Sequence, residues 1–96
     1  MGLLLALDVG NTNTVIGFFQ GDALVATARL TTVRERTSDE HALFLRAVIE
    51  AKGRKVSEVD DVIVSSVVPP QDFPIRAACR DAFGIEDVRG SRPAIA

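Results

Sequence analysis

The stretch LALDVGNTNTVIGFF, residues 5–19, decides the fold. It is typical of two apolar β-strands, the first of which ends in a carboxylate at Asp8. The residues between the strands are small or polar, in the order Gly10, Asn11, Thr12 and Asn13. Because a hairpin needs only two turn residues, this longer polar loop predicts a role beyond reversing the chain.

The strands on either side of the loop continue as a three-stranded unit. Residues 3–8 are predicted to form a fully buried strand, apolar on both faces, and residues 14–19 a second strand that is also apolar on both faces. The short turn at 20–22 predicts antiparallel hairpin neighbours. Residues 23–31 alternate between apolar and polar, which predicts an edge strand with one face in solvent. Its predicted inner side chains are Leu24, Ala26, Ala28 and Leu30.

Helical patterns begin after residue 36. Thr37 and Glu40 have the spacing of a capping box, and the helix they start is predicted to end at Gly53. Its apolar stripe consists of Ala42, Leu45, Val48 and Ile49. A short strand at 61–65, a helix at 72–83 that ends at Gly84, and a fifth strand beginning within 85–88 complete the chain.

The element order is therefore β-β-β-α-β-α-(β), in one domain spanning residues 1–96. Three hairpin-connected strands followed by right-handed crossovers predict an α/β fold with a mixed sheet. This is the order of the ribonuclease-H-like fold, which also forms each half of the actin-like kinases. The first strand is then central, and Asp8 lies at the edge where such sheets bind ligands.

Composition narrows the classes of partner and compartment. A net charge of −2 without a basic cluster argues against binding to nucleic acid or to an anionic membrane. The apolar run at 3–7 is too short for a signal peptide or a membrane span. The single cysteine, Cys79, cannot form an internal disulfide and is expected in the core. These features predict a cytoplasmic protein.

The loop chemistry suits the phosphates of a nucleotide. Gly10 permits a tight turn and the backbone φ that it requires, so that successive N–H groups form an anion-binding nest to which Asn and Thr side chains add donors. Asp8 beside such a nest predicts a Mg²⁺ ion between carboxylate and phosphate, held directly or through water. The alternative is a structural hairpin whose Asn and Thr side chains hydrogen-bond their own backbone.

Four segments resemble the N-terminal part of type III pantothenate kinase. They are LALDVGNTNTVIGFF at 5–19, RTSDE at 36–40, VIVSSVVPP at 62–70 and FGIEDV at 83–88. The resemblance implies ATP-dependent phosphorylation of pantothenate to 4'-phosphopantothenate, the first step of coenzyme A biosynthesis. It also implies that the ATP phosphates are gripped by one continuous segment, consisting of Asp8, Val9, Gly10, Asn11, Thr12, Asn13, Thr14 and Val15.

The same resemblance implies what this chain does not carry. Kinases of the family are more than twice as long and bind ATP between two α/β halves, in a homodimer. The G-x-D-R segment with the catalytic base, the site for K⁺ or NH₄⁺ and the adenosine-binding residues are expected beyond Ala96. The chain thus resembles a single N-terminal half, expected to be a fragment, a truncated reading frame or an excised half that is inactive alone.

The remaining conspicuous residues have structural interpretations. RTSDE at 36–40 is expected to cap a helix rather than to act chemically. Residues 65–70 either contact a ligand or simply end a strand at Pro69 and Pro70. His41 is expected to be a surface or packing residue on the first turn of its helix.

Two other functions compete with the kinase. A ribonuclease-H-like nuclease needs three carboxylates around two metal ions, and Asp8 and Glu40 are available, but the fourth strand ends in Ser65 and Ser66. A non-catalytic nucleotide-binding module or accessory regulator of transcription needs the loop without the base.

Overall fold

The computed structural model describes residues 2–86 and 88–91 and contains one five-stranded mixed sheet with two helices. The elements in chain order are β1 (Leu3–Val9), β2 (Asn13–Gln20), β3 (Ala23–Thr31), α1 (Ser38–Ala51), β4 (Val59–Ser66), α2 (Asp72–Phe83) and β5 (Arg89–Ser91). Short 3₁₀ turns at Val56–Glu58 and Pro69–Gln71 precede β4 and α2. The predicted α/β class, element order and ribonuclease-H-like topology are confirmed.

β1 is the central strand, as its apolar sequence predicts. The strands are ordered β3-β2-β1-β4-β5, with β2 antiparallel and β4 parallel to β1. In this register Asp8 lies opposite Val15 on β2 and Ser65 on β4. The carboxyl ends of β1 and β4 therefore meet at one edge of the sheet, with Asp8 at that edge.

The hydrophobic core lies on one face of the sheet, which we call the helical face. Alternate β1 side chains point there, and Leu5 is fully buried. It packs in one cluster with Phe18 from β2, Ile49 from α1 and Ile75 from α2. The cluster requires both helices to cover this same face.

The opposite face, here called the open face, is only half-covered. Leu4 and Ala6 of β1 and Ile63 of β4 are each partly exposed there. The expectation that β1 is buried on both faces is therefore wrong for the described residues, because α1 and α2 both lie on the helical face. Strand composition alone does not say where the covering helices lie.

β3 is an edge strand with a solvent-facing side, as predicted, but its inner set differs by one residue. A register shift between Phe18 and Phe19 places Leu24 opposite Phe19, on the open face. Leu24 is consequently 54% exposed. Ala26, Ala28 and Leu30 pack against the core as expected. An irregularity of one residue reverses the face of every side chain beyond it.

The helix boundaries follow their capping residues. The Thr37 hydroxyl accepts from the Glu40 N–H at 3.2 Å while the Glu40 carboxylate accepts from the Thr37 N–H at 2.9 Å, which confirms the capping box. Gly84 ends α2 in the left-handed region, with φ of 68°. β5 begins at Arg89, later than the predicted start within 85–88; of that range, residue 87 lies outside the described residues. Neither described helix is long and apolar enough to cross a membrane.

Candidate functional site

Three chain connections meet at the carboxyl end of β1. The first is the 10–13 loop, which joins β1 to β2 and includes Asn13, the first residue of β2. The others are the connection of residues 32–37 between β3 and α1 and the connection of residues 67–71 between β4 and α2. The Thr32 N–H donates to the Thr12 carbonyl at 2.9 Å, and the Val67 N–H donates to the Val9 carbonyl at 3.0 Å. The 10–13 loop is thus fixed to both neighbouring connections.

The 10–13 loop is closed by its own backbone. The Gly10 N–H donates to the Asn13 carbonyl oxygen at 2.9 Å, and a Cβ atom on Gly10 would lie 3.1 Å from that oxygen. Gly10 does not have a positive φ, in contrast to Gly21, Gly53 and Gly84. The expectation that glycine is needed here for its φ is therefore wrong: it is needed because the chain approaches itself closely.

Two of the predicted phosphate donors are used inside the protein. The Gly10 N–H serves the turn, and the buried Thr14 hydroxyl lies 2.8 Å from that of Thr32. By contrast, Asn11 and Thr12 are exposed, and within residues 2–86 and 88–91 their N–H groups donate to no protein acceptor. The Asn13 side chain is also exposed. The donors that the loop presents to solvent are therefore centred on residues 11–13.

The other residues of the predicted site have different environments. Asp8 is exposed on the open face at the edge of the sheet. Val15 is half-buried beside it, whereas Val9 points into the core and is 1% exposed. Val9 can therefore contribute backbone atoms to a ligand but not its side chain.

A magnesium ion fits this arrangement only if a ligand supplies most of its oxygen ligands. The described residues contain no group of three His, Cys, Asp or Glu side chains placed to hold a metal. Magnesium in nucleotide sites is commonly held by one or two carboxylates together with phosphate oxygens and water. The exposed Asp8 carboxylate beside free loop N–H groups suits that pattern, whereas a nuclease site with two metals needs more carboxylates.

One of the two serines that end β4 forms a local hydrogen bond. The Ser66 hydroxyl accepts from the Val68 N–H at 3.0 Å, and Val68 is fully buried. Pro69 then begins the 3₁₀ turn that leads into α2. Of the two interpretations of residues 65–70, the structural one accounts for Ser66. Ser65 is half-buried and lies opposite Asp8 in the sheet.

His41 and Gln71 form a buried polar contact that the sequence interpretation missed. Gln71 is 1% exposed, and its Oε1 lies 2.5 Å from Nε2 of the half-buried His41. Burial is the largest cause that lowers the pKa of His41, the hydrogen bond to Gln71 opposes it, and the nearby Arg36 charge lowers it further. The sequence did hold a signal: Gln71 lies four residues before Ile75 and eight before Cys79, the spacing that places it in line with the buried stripe of α2.

Two structural interpretations are confirmed. The segment at 36–40 caps α1 through Thr37 and Glu40. Cys79 is fully buried, and burial raises the pKa of its thiol to about 12. A thiol that remains protonated and inaccessible is a packing residue rather than a nucleophile.

Comparisons with known proteins identify the family of the chain. The family model for type III pantothenate kinase matches residues 4–95, which is nearly the whole chain. The chain belongs to the type III pantothenate kinase family. A type III pantothenate kinase from Halalkalibacterium halodurans is 40% identical over 83 residues, covering 86% of this chain and 33% of that relative. One from Bifidobacterium longum is 52% identical over 67 residues, covering 70% of this chain and 26% of the relative.

The chain spans about a third of the length of the curated pantothenate kinases that it matches. Among solved structures, a ROK hexokinase from Thermus thermophilus is similar, with a TM-score of 0.64 at 22% identity over 94% of this chain and 35% of that one. At that identity the similarity concerns the fold alone, which is that of the sugar kinases and actin-like ATPases. Family membership thus rests on sequence, and the structure agrees with it in architecture.

Proposed function

We propose that this domain supplies the ATP-phosphate-binding part of a cytoplasmic pantothenate kinase, which transfers a phosphoryl group from ATP to pantothenate and yields 4'-phosphopantothenate and ADP. The observation that carries the proposal is the position of the 10–13 loop in a member of this family. Its unpaired N–H groups and the Asp8 carboxylate lie together at the carboxyl end of the central strand. This is the edge at which sheets of this kind bind ligands.

In this proposal some loop residues bind phosphate and others maintain the conformation of the loop. The N–H groups of Asn11 and Thr12 and the exposed side chains of residues 11–13 donate to phosphate oxygens, as in other anion-binding backbone nests. Gly10 and Thr14 hold the loop in shape. Asp8 holds Mg²⁺, directly or through water, and the ion neutralises phosphate charge. The site for a monovalent cation and the catalytic base belong to the remainder of the kinase.

The family favours this function over the two alternatives. A nuclease would need a metal cluster, and the part of the chain that the structure describes holds no group of three suitable ligands. A regulator that only binds nucleotides would share the loop, but the relatives reported above are named as kinases. The proposal therefore has two parts: the domain binds the ATP phosphates, and this binding serves catalysis in the kinase.

Nucleotide binding to the chain tests the first step. We expect NMR titration with Mg·ATP to shift the amide resonances of residues 10–15, and AMP to shift them far less because it lacks the β- and γ-phosphates. Gly10→Ala should weaken Mg·ATP binding about 10-fold, because its Cβ would press on the Asn13 carbonyl and open the turn. Changes in amide resonances that are confined to residues outside 10–15 would contradict the proposal.

Gly17→Ala is the matched control for that titration. Its Cβ would also meet an atom at 3.1 Å, but this atom belongs to the Phe19 ring on the open face, which can move aside. The control should therefore bind Mg·ATP like the unchanged chain. Equal weakening by both variants would show that the loss comes from general destabilisation rather than from the loop.

We also infer that the domain associates with a second copy of the same chain, in keeping with the homodimer that the resemblance implies. The support is the surface of α1, where Leu43 is 65% exposed and Phe44 is 42% exposed. The Arg36 guanidinium lies 4.6 Å from the centre of the Phe44 ring. Adjacent exposed apolar side chains on one helix are typical of an interaction surface.

Phe44→Glu should therefore shift the chain toward the monomer in sedimentation velocity at micromolar concentration, because it places a charge in an apolar interface. Ser57→Glu adds the same charge at an exposed position outside α1 and serves as the control. A sedimentation coefficient that is monomeric before and after Phe44→Glu would contradict the inference, as would equal dissociation by both variants.

A further inference from the structure

Gln71 is the most buried polar residue at the candidate site, and the proposed chemistry gives it no role. It is 1% exposed and sits at the end of the Pro69–Gln71 turn, immediately before α2. Its Nε2 donates to the Arg34 carbonyl at 2.6 Å. Its Oε1 accepts from His41 at the start of α1. One amide thus joins both helix beginnings to the 32–37 connection.

The orientation of this amide is dictated by its partners. The Arg34 carbonyl can only accept a hydrogen bond, so the NH₂ group of Gln71 must face it. The Gln71 oxygen then faces His41, whose Nε2 must carry a proton. Burial lowers the pKa of His41 and favours its neutral form, and that form still provides the N–H when it is the Nε2 tautomer. Protonation would keep the same donor, so the contact is not a pH switch.

The contact closes a ring of three connections around the carboxyl end of β1. The Val67 N–H, in the connection that leads to Gln71, donates to the Val9 carbonyl. Gln71 binds Arg34, two residues from Thr32. The Thr32 N–H in turn donates to the Thr12 carbonyl in the 10–13 loop. The Thr32 hydroxyl forms a hydrogen bond with the Thr14 hydroxyl.

We propose that Gln71 is a positioning residue for the 10–13 loop: its buried amide fixes the 32–37 connection, and that connection holds the loop in shape through Thr32. The inference rests on the proposed function for its effect on nucleotide binding, but its structural part can be tested without a nucleotide. Gln71 lies outside the predicted phosphate-binding segment, and its side-chain amide acts on that segment through Arg34 and Thr32.

Removing the Gln71 amide should destabilise the 32–37 connection more than the rest of the fold. Gln71→Met keeps the length of the side chain but leaves the Arg34 carbonyl and the His41 N–H without their partner. We expect native-state hydrogen exchange at the Thr32 N–H to become about 10-fold faster, while exchange in the paired centre of β1 changes only with global stability. The affinity for Mg·ATP should fall by a similar factor.

Ile49→Val is the matched control, because Ile49 is fully buried in α1 and lies outside the ring. This variant lowers stability through packing alone, so exchange at Thr32 should follow the other amides. Unchanged relative exchange at Thr32 in Gln71→Met overturns the inference. Faster exchange with unchanged Mg·ATP affinity also overturns it. If the unchanged chain binds no Mg·ATP, the proposed function fails, and the exchange comparison alone decides the positioning role.

A second variant covers the case in which Gln71→Met does not fold. In Gln71→Glu the ionised carboxylate can still accept from His41 but cannot donate to the Arg34 carbonyl. Protonation of the new carboxyl group restores a donor, so the protection of the Thr32 N–H should rise as the pH falls through the pKa of that group. The unchanged chain should show no such rise. Protection that does not recover at low pH in a folded variant contradicts the inference.

Discussion

Asp8→Asn should lower pantothenate phosphorylation about 100-fold or more in a chain that joins this domain to the remainder of a type III pantothenate kinase. The substitution nearly keeps the shape of the side chain but removes the charge that, in the proposed function, would hold Mg²⁺ against the phosphates. Preorganised charge at a developing transition state is commonly the largest single contribution to catalysis. The expected loss therefore concerns turnover at saturating Mg·ATP.

Folding should hardly respond to the same change. Asp8 is exposed, and among the described residues no hydrogen bond or ion pair to its carboxylate is found. Exposed substitutions of this kind change the free energy of unfolding by less than about 0.5 kcal/mol. Asp22→Asn makes the same chemical change in the exposed turn between β2 and β3 and should leave both turnover and melting temperature unaltered. Parallel losses of activity and melting temperature in Asp8→Asn would make Asp8 a structural residue.

The chain by itself should form no 4'-phosphopantothenate. Phosphoryl transfer depends on groups that position the donor and acceptor and on charge around the transferred phosphoryl group. In the proposed function the 10–13 loop supplies one side of such a site, and no enclosed pocket is found among the described residues. The matches cover only about a third of each relative, so we expect the groups that complete the site to come from sequence that this chain does not match.

The measurement is product formation from radiolabelled ATP by the purified chain, compared with a mock preparation. The same domain joined to the remainder of a relative provides the positive control and should be active under identical conditions. ATP-dependent product from the chain alone that disappears in Asp8→Asn would show that the reaction needs fewer residues than we infer. Product that persists in Asp8→Asn would point to a contaminating kinase.

Local signals in the sequence correctly predicted the secondary structure on which the candidate site is built. The apolar run of β1 and the element order predict a central strand, and this is its position, although one of its faces is only half-covered. Thr37 and Glu40 identified the start of α1 because a capping box involves only adjacent residues. Both features depend on short-range chemistry. The position of Asp8 followed from them.

Three of the differences from the structure concern contacts between residues that are not adjacent in sequence. Gly10 was attributed to backbone φ, whereas the constraint is the distance to the Asn13 carbonyl. The register shift at Phe18 and Phe19 has no local signature and reversed the expected face of Leu24. Gln71 was overlooked because its partners, Arg34 and His41, are 37 and 30 residues away in sequence. Contacts of that separation depend on the packing of whole elements.

Cys79 gives this molecule a built-in reporter of conformational opening. It is the only cysteine in the sequence, it is fully buried, and burial keeps its thiol protonated with a pKa of about 12. A thiol-directed alkylating reagent can therefore modify Cys79 only when the packing of α2 against the core opens, since the thiolate is the reactive species. Labelling rates would follow α2 detachment in every variant discussed above without a nucleotide, an antibody or a fluorescent tag.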